Sequence, residues 1–386
     1  MLSTSPLAQI LSQTLAYSTD SAGMHPSHIL PDKLRAIAAA GFLFAEVAFP
    51  DLEMYASQLH PDYKKLDDGG QRDLDKLIGA ANEISKLCNS LGVKLLAVHP
   101  FSELEGYADE AKRAHGMERA HAWFKVLKAL NCEILQVSSS DDPSSSKDRN
   151  LIARDLRDLA DAAAKEQPPI KIAYEMWAWG CHINTWEDTW DICKRVDRPN
   201  FGLCLDTFQI CARAFASPTS PTGLLQPLFS ASNPSANPFS TEYASQLLRN
   251  SLSRLADTLP PEKIFYFQIS DGAHPGGANG GKRGIEELKQ SARKKGIDPL
   301  YAWSNAWRPL PYMDELVGRK YGGYLPVVDV CEAVLKTGWR GPFSFEVFYE
   351  RDMSIEDPTV PERWTRAAQG SFERIMQELK ARGIEV

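Results

Sequence analysis

The sequence predicts an α/β protein: a closed (β/α)8 barrel with long insertions after strands six and seven. Three observations point there. Strand-like and helix-like segments alternate with a period of roughly 30 to 45 residues, the mark of repeated β-α units. The strand candidates number eight, and closing eight parallel strands into a barrel leaves no sheet edge. No Gly-x-Gly-x-x-Gly follows any of them, which disfavours an open doubly wound sheet.

The elements follow in order. Thr14–Ser18 is the first strand candidate, and a helix is expected from about Pro31 to Ala40, with Gly41 where a helix commonly stops. Phe42–Phe49 reads as strand two. Leu74–Leu91 has helical periodicity and ends at Gly92. Val93–Val98 is strand three and runs into His99-Pro100. A long helix is expected over Glu110–Leu130, strand four over Glu133–Val137, and a further helix over Asp148–Lys165, closed by Pro168-Pro169. Strands five to eight are Ile170–Glu175, Phe201–Asp206, Ile264–Gln268 and Phe343–Glu346. Each is a short apolar, β-branched or aromatic run, as expected of a parallel strand buried on both faces. Pro361–Arg382 is the closing helix.

Two stretches break the period. Ser217–Ser240 is rich in Ser, Pro and Asn, and Gly272–Leu325 opens with the Gly-rich His274–Arg283. Both follow strands, on the face where barrel enzymes hold their sites, and both are expected to be lids without regular structure. Neither carries enough apolar residues for its own core, so residues 1–386 are expected to form a single domain.

Composition narrows the function. The chain has 386 residues, 43% hydrophobic and 24% charged, with a net charge of −7. That is an ordinary globular balance, and the acidic excess argues against a nucleic-acid partner. No stretch approaches the 18 or so apolar residues of a membrane span, and Met1–Ile10 lacks the features of a signal peptide. The seven cysteines form no Cys-x-x-Cys pair, so free thiols in a reducing, cytoplasmic compartment are expected. The expected partner is a small molecule, and a homo-oligomer is compatible with the sequence.

The chemistry gathers at four strand ends. Glu175, Asp206, Gln268 and Glu346 each close an apolar run. An oxygen acceptor there is costly to desolvate without a partner. On adjacent strands the four would converge, and three carboxylates repel unless a cation sits between them. Oxygen ligands suit a hard divalent ion, Mg2+, Mn2+ or Co2+. Because Gln268 is neutral, the occupied site would stand near −1, with a coordination position open for Lewis-acid chemistry.

Other residues fill in the surroundings. His99 ends strand three and can act as acid or base near neutral pH, or cap the next helix. His182, seven residues after Glu175, is the second candidate. His274 sits in the Gly-rich loop. Trp177, Trp179, Phe208, Trp303 and Trp307 can wall a small cyclic substrate or simply pack the insertions. Arg308 suits a substrate carboxylate, since a guanidinium pairs bidentately, or is an ordinary surface arginine. Glu46 ends strand two and can hold a histidine or a substrate hydroxyl. Ser138-Ser-Ser140 offers hydroxyl donors or a plain turn.

The Glu–Asp–Gln–Glu array resembles the xylose-isomerase-like TIM barrel superfamily of sugar phosphate isomerases and epimerases. Within it, the chain is most similar to the fungal 3-dehydroshikimate dehydratases of quinate catabolism. The matching segments are Tyr174–Trp186, Asn200–Gln209, Phe267–Asp271, Gly323–Val327 and Ser344–Phe348. The resemblance implies a divalent metal on Glu175, Asp206, Gln268 and Glu346, and dehydration of 3-dehydroshikimate to protocatechuate by a lyase. The alternatives are a sugar or keto-sugar isomerase or epimerase of the same superfamily, and a barrel that only binds a sugar-like polyol ketone, against which the intact Glu175–Asp206–Gln268–Glu346 set argues. Gln209 stands where many superfamily members carry a histidine; if that histidine is the usual base, His99 or His182 substitutes for it, or the chemistry differs.

Overall fold

A computed structural model describes residues 14–66, 70–227, 241–277 and 281–384. Eight parallel strands form a closed barrel in sequence order. They are β1 (Ala16–Ser18), β2 (Phe44–Ala48), β3 (Lys94–Phe101), β4 (Ile134–Ser138), β5 (Lys171–Glu175), β6 (Phe201–Asp206), β7 (Ile264–Ile269) and β8 (Phe343–Phe345). β1 closes on β8 through Ala16–Ser344 and Tyr17–Phe345. The predicted barrel is therefore present, with β6 on its expected bounds and no other strand end more than three residues from expectation.

Alternation along each strand sets what faces the lumen. One small cluster holds Ala16, Ala97, Ala173, Cys204 and Tyr266 from five different strands. Two residues further along those same strands come Ser18, His99, Glu175, Asp206 and Gln268. All five are buried. The lumen thus has an apolar floor beneath a polar layer at the C-terminal mouth. The opposite faces, including Tyr17, Val98, Tyr174 and Phe267, join the large core between barrel and helices.

The outer helices Leu74–Leu91 and Glu110–Leu130 match their predicted bounds. Gly92 ends the first at φ 72°, and Asn131 ends the second at φ 55°, the left-handed conformation common at helix ends. One helix was not expected: Phe49–Leu59 begins directly at the end of β2, with Pro50 in its first turn.

The insertion after β7 departs from expectation. Instead of an irregular lid it is largely helical, with helices at Lys282–Lys295, Pro299–Ala306 and Met313–Val317. Ile285, Leu288 and Ala292 bury one face of the first, an amphipathic spacing that the neighbouring glycines obscured. The expected lid at 217–240 lies partly outside the described residues. Its described part forms a bridge between Ala216 and Leu224, and helix Thr241–Thr258 follows. All seven cysteines are free, and only Cys181 is exposed. Among the described residues no helix is long and apolar enough to cross a membrane.

Candidate metal centre

Glu175, Asp206 and Glu346 meet at the mouth. Ligand oxygens of the three lie within 4.8 Å of one another, and all three residues are buried. The register explains the meeting: Asp206 lies opposite Gln268 across β6 and β7, and Gln268 lies opposite Ser344 across β7 and β8.

Each ligand candidate is oriented by a neighbour. Gln136 on β4 donates through Nε2 to Glu175 Oε2. Glu175 Oε1 is buried and has no hydrogen-bond partner among the described residues. Asp206 Oδ1 accepts the Gln209 amide N–H at 3.1 Å and so caps the helix Thr207–Ala214. Gln268 donates through Nε2 to the two oxygens of Glu46, at 3.1 and 3.4 Å. That bond directs Oε1, the atom able to ligate a cation, away from Glu46, where it accepts from the Cys204 thiol at 3.4 Å. Glu46, expected to hold a histidine or substrate hydroxyl, thus holds Gln268.

Burial sets the electrostatics. Desolvation, followed by the charges of Glu346 and Asp206, pushes Glu175 well above the usual carboxyl range. Desolvation raises Glu346 to about 8 and Glu46 to about 7, and it raises Asp206 too, opposed by Arg308. Three buried carboxyls with elevated proton affinity, and one oxygen without a donor, fit a divalent cation that supplies the missing positive charge.

Arg308 stands beside the same ligands. Its Nη2 lies 2.6 Å from Asp206 Oδ2 and 3.1 Å from Glu346 Oε2. Its Nε and Nη2 reach Ser270 Oγ, and its Nη1 reaches Ser304 Oγ. The guanidinium also lies over the rings of Phe208 and Phe348, at 4.7 and 5.3 Å. The structure therefore places Arg308, expected as a substrate clamp, against the candidate ligand carboxylates, with every guanidinium nitrogen engaged. With a divalent ion among the three carboxylates, its charge would leave the group neutral, where the four acceptors alone would leave −1.

The two histidines part company. His99 is buried, with Nε2 2.8 Å from Ser18 Oγ and Nδ1 3.5 Å from Glu346 Oε1. With Asp20 and Glu346 it forms a second close group of acceptors. His182 is half-buried, and its Nε2 lies 2.9 Å from the Ser145 carbonyl in the loop after β4. Gln209 accepts the Ala178 amide N–H at 2.8 Å and ties down the loop after β5.

The aromatic residues divide similarly. Trp177, Trp179 and Tyr301 form one stack, with Trp179 and Tyr301 rings 4.6 Å apart and 7° from parallel. Tyr301 had not been singled out in sequence. Trp303 and Phe208 are fully buried and 4.4 Å apart, and Trp303 Nε1 donates to the Ala273 carbonyl. Both are packing residues rather than a substrate wall. Trp307 lies beneath Arg351, 4.5 Å from its guanidinium. His274 contacts the Ser220 carbonyl at 2.9 Å, and Tyr324 donates to the Gly223 carbonyl at 2.7 Å. These two bonds lace the insertions together.

Sequence reasoning missed Gln136, Ser18, Asp20 and Glu105. Gln136 carried a signal: an amide between Leu135 and Val137 breaks an apolar run on the lumen side. Glu105 carried none, since its meaning comes from accepting the Ser140 N–H and the Tyr174 hydroxyl, far away in sequence.

The family model for the xylose isomerase-like TIM barrel matches residues 34–375. The 3-dehydroshikimate dehydratase of Neurospora crassa is 32% identical over 379 residues, 95% of this chain and 94% of its own length. That of Pseudomonas aeruginosa is 30% identical over 322 residues, 83% of this chain. The match spans only 36% of the bacterial protein. Among solved structures, the IolI protein with a binding zinc atom aligns with a TM-score of 0.61 over 95% of this chain and 98% of its own. At 15% identity that likeness speaks to fold alone. The closed barrel and a match across nearly the whole sequence lead to one conclusion: this chain belongs to the xylose isomerase-like TIM barrel family.

Proposed function

We propose that this chain is a divalent-metal-dependent 3-dehydroshikimate dehydratase, a lyase of quinate catabolism whose product is protocatechuate. One observation carries the reading: a buried histidine, His99, stands 3.5 Å from Glu346, which itself lies within reach of Glu175 and Asp206. A base beside a cation site is what proton abstraction next to a ketone requires. The Neurospora relative, 32% identical and bearing the dehydratase name, supplies the substrate class.

Glu175, Asp206, Gln268 and Glu346 would hold Mg2+, Mn2+ or Co2+. The bound ion would supply Lewis acidity toward a ketone oxygen. His99 accepts the proton from the carbon beside the ketone, and the bonding pair stays on the substrate as the enolate. The imidazolium returns that proton to the departing β-hydroxyl, so one water leaves. The remaining ring tautomerises to the aromatic product without further loss. Arg308 keeps Asp206 and Glu346 in place and renders the occupied site neutral, which removes a repulsion against an anionic substrate. Trp177, Trp179 and Tyr301 offer ring faces to a flat cyclic molecule. His182 anchors their loop through Ser145.

The test is direct. Protein stripped with a chelator and reloaded with Mg2+, Mn2+ or Co2+ is incubated with 3-dehydroshikimate. A new aromatic ultraviolet band is expected with metal and not without it. If no ion supports turnover, the reading fails, and keto-sugar isomerisation or epimerisation, which begins with the same proton abstraction, becomes the next assay.

A further inference from the structure

His99 is held at Nε2 by Ser18 and faces Glu346 with Nδ1, and the proton count at Ser18 decides which nitrogen carries hydrogen. Ser18 Oγ lies 2.8 Å from His99 Nε2 and 2.7 Å from Asp20 Oδ1. A hydroxyl has a single proton to give, and a carboxylate can only accept. The Ser18 proton therefore goes to Asp20. Toward His99, Ser18 is left as the acceptor, so Nε2 must be the donor.

Asp20 is itself fixed. Ser21 Oγ donates to the same Oδ1 at 3.2 Å and accepts the Val347 amide N–H at 2.8 Å. Val347 follows Glu346 in the chain. The loop after β1 thus fastens the far side of His99 to the end of the strand that carries the candidate ligand.

We propose that Ser18 and Asp20 are positioning residues that hold neutral His99 as the Nε2–H tautomer, leaving Nδ1 as its basic nitrogen facing Glu346. Tautomers are set by the bond that the other nitrogen makes. In the reaction, the substrate proton goes to Nδ1 and the C–H electron pair stays on the substrate. Nε2–H continues to donate to Ser18, and Ser18 to Asp20. The positive charge gained by the ring is balanced by Asp20 on one side and Glu346 on the other. This catalytic consequence rests on the reading that His99 takes the proton; the tautomer does not.

Nitrogen-15 histidine labelling of the full chain tests it, with His99 assigned from the signal lost in His99→Gln. At a pH where the ring is neutral, the wild type is expected to show hydrogen on Nε2. Ser18→Ala removes the acceptor, so hydrogen is expected to move to Nδ1, drawn by Glu346. Asp20→Ala frees the Ser18 hydroxyl to donate to Nε2, with the same result, and Ser18→Thr restores the wild-type signal. With the tautomer reversed, kcat is expected to fall at least about tenfold, within the roughly 10,000-fold that a general base supplies, while KM stays within about threefold. Hydrogen on Nδ1 in the wild type, or no change in Ser18→Ala and Asp20→Ala, overturns the inference whatever the activity. A wild-type Nε2–H signal combined with full turnover of His99→Ala would leave the tautomer standing and remove His99 as the base.

Discussion

Arg308 Nη2 lies 2.6 Å from Asp206 Oδ2, with both side chains almost wholly shielded from solvent. Breaking such a pair by removing one partner costs about 3–5 kcal/mol, because the other charge stays buried. Arg308→Gln is expected to lose about that much stability in the presence of a chelator. Saturating Mn2+ is expected to restore part of the loss, since a cation then faces Asp206 and Glu346. Denaturant unfolding with and without metal measures both. An identical loss in the two conditions would show that the guanidinium and the ion do not share these carboxylates.

Glu346→Gln tests the ligand set from the other side. One charged ligand disappears while the strand keeps its packing, so divalent-ion affinity is expected to fall by more than the roughly 10- to 100-fold typical of an outer partner. Metal-free stability is expected to hold or rise, because a desolvated carboxyl has been removed. Titration calorimetry and unfolding curves read the two effects separately.

The histidines should separate by rate. His99→Ala is expected to lower kcat by about 100- to 10,000-fold, whereas His182→Ala, whose ring contacts a loop carbonyl, should stay within about tenfold. The reverse ranking would move the base to the loop after β5.

Glu105 supplies a pH test away from the ligands. Its buried carboxyl accepts from Ser140 and Tyr174, and desolvation raises it to about 7, against 4.5 ordinarily. A carboxyl whose folded value is raised stabilises the fold fully at pH below the unfolded value and loses that contribution as pH climbs through the folded one. The difference of about 2.5 units corresponds to about 3 kcal/mol lost between pH 4.5 and 7. Glu105→Gln keeps the acceptor oxygen and removes the ionisation. Its stability relative to wild type is therefore expected to improve as pH rises from 5 to 8, by chemical unfolding at each pH. A pH-independent difference would mean that Glu105 titrates alike folded and unfolded.

The strand ends were legible because a carboxyl or amide closing an apolar run is a conflict that sequence displays openly. Glu175, Asp206 and Glu346 came together for that reason. What stayed hidden depended on partners distant in the chain. Arg308 read as a free surface or clamp residue, since nothing in Trp303–Pro311 reveals that Ser270, Phe208 and Phe348 enclose it. Ser18 and Asp20 sit at the end of a three-residue strand too short to show alternation. The helix Phe49–Leu59 was invisible because it starts with no polar break after β2, and the insertion helices were masked by the glycines that precede them.

Trp177, Trp179 and Tyr301 join two segments that are 122 residues apart in sequence, the loop after β5 and the helical insertion after β7. Two indoles 5.1 Å apart and 27° from parallel couple their electronic transitions, so the pair should give a paired positive and negative band in circular dichroism. Any lifting of the insertion that slides Tyr301 from Trp179 would change that band without a label or a mutation. The barrel mouth therefore carries its own optical gauge, on which ligand arrival could be timed in stopped flow before any product forms.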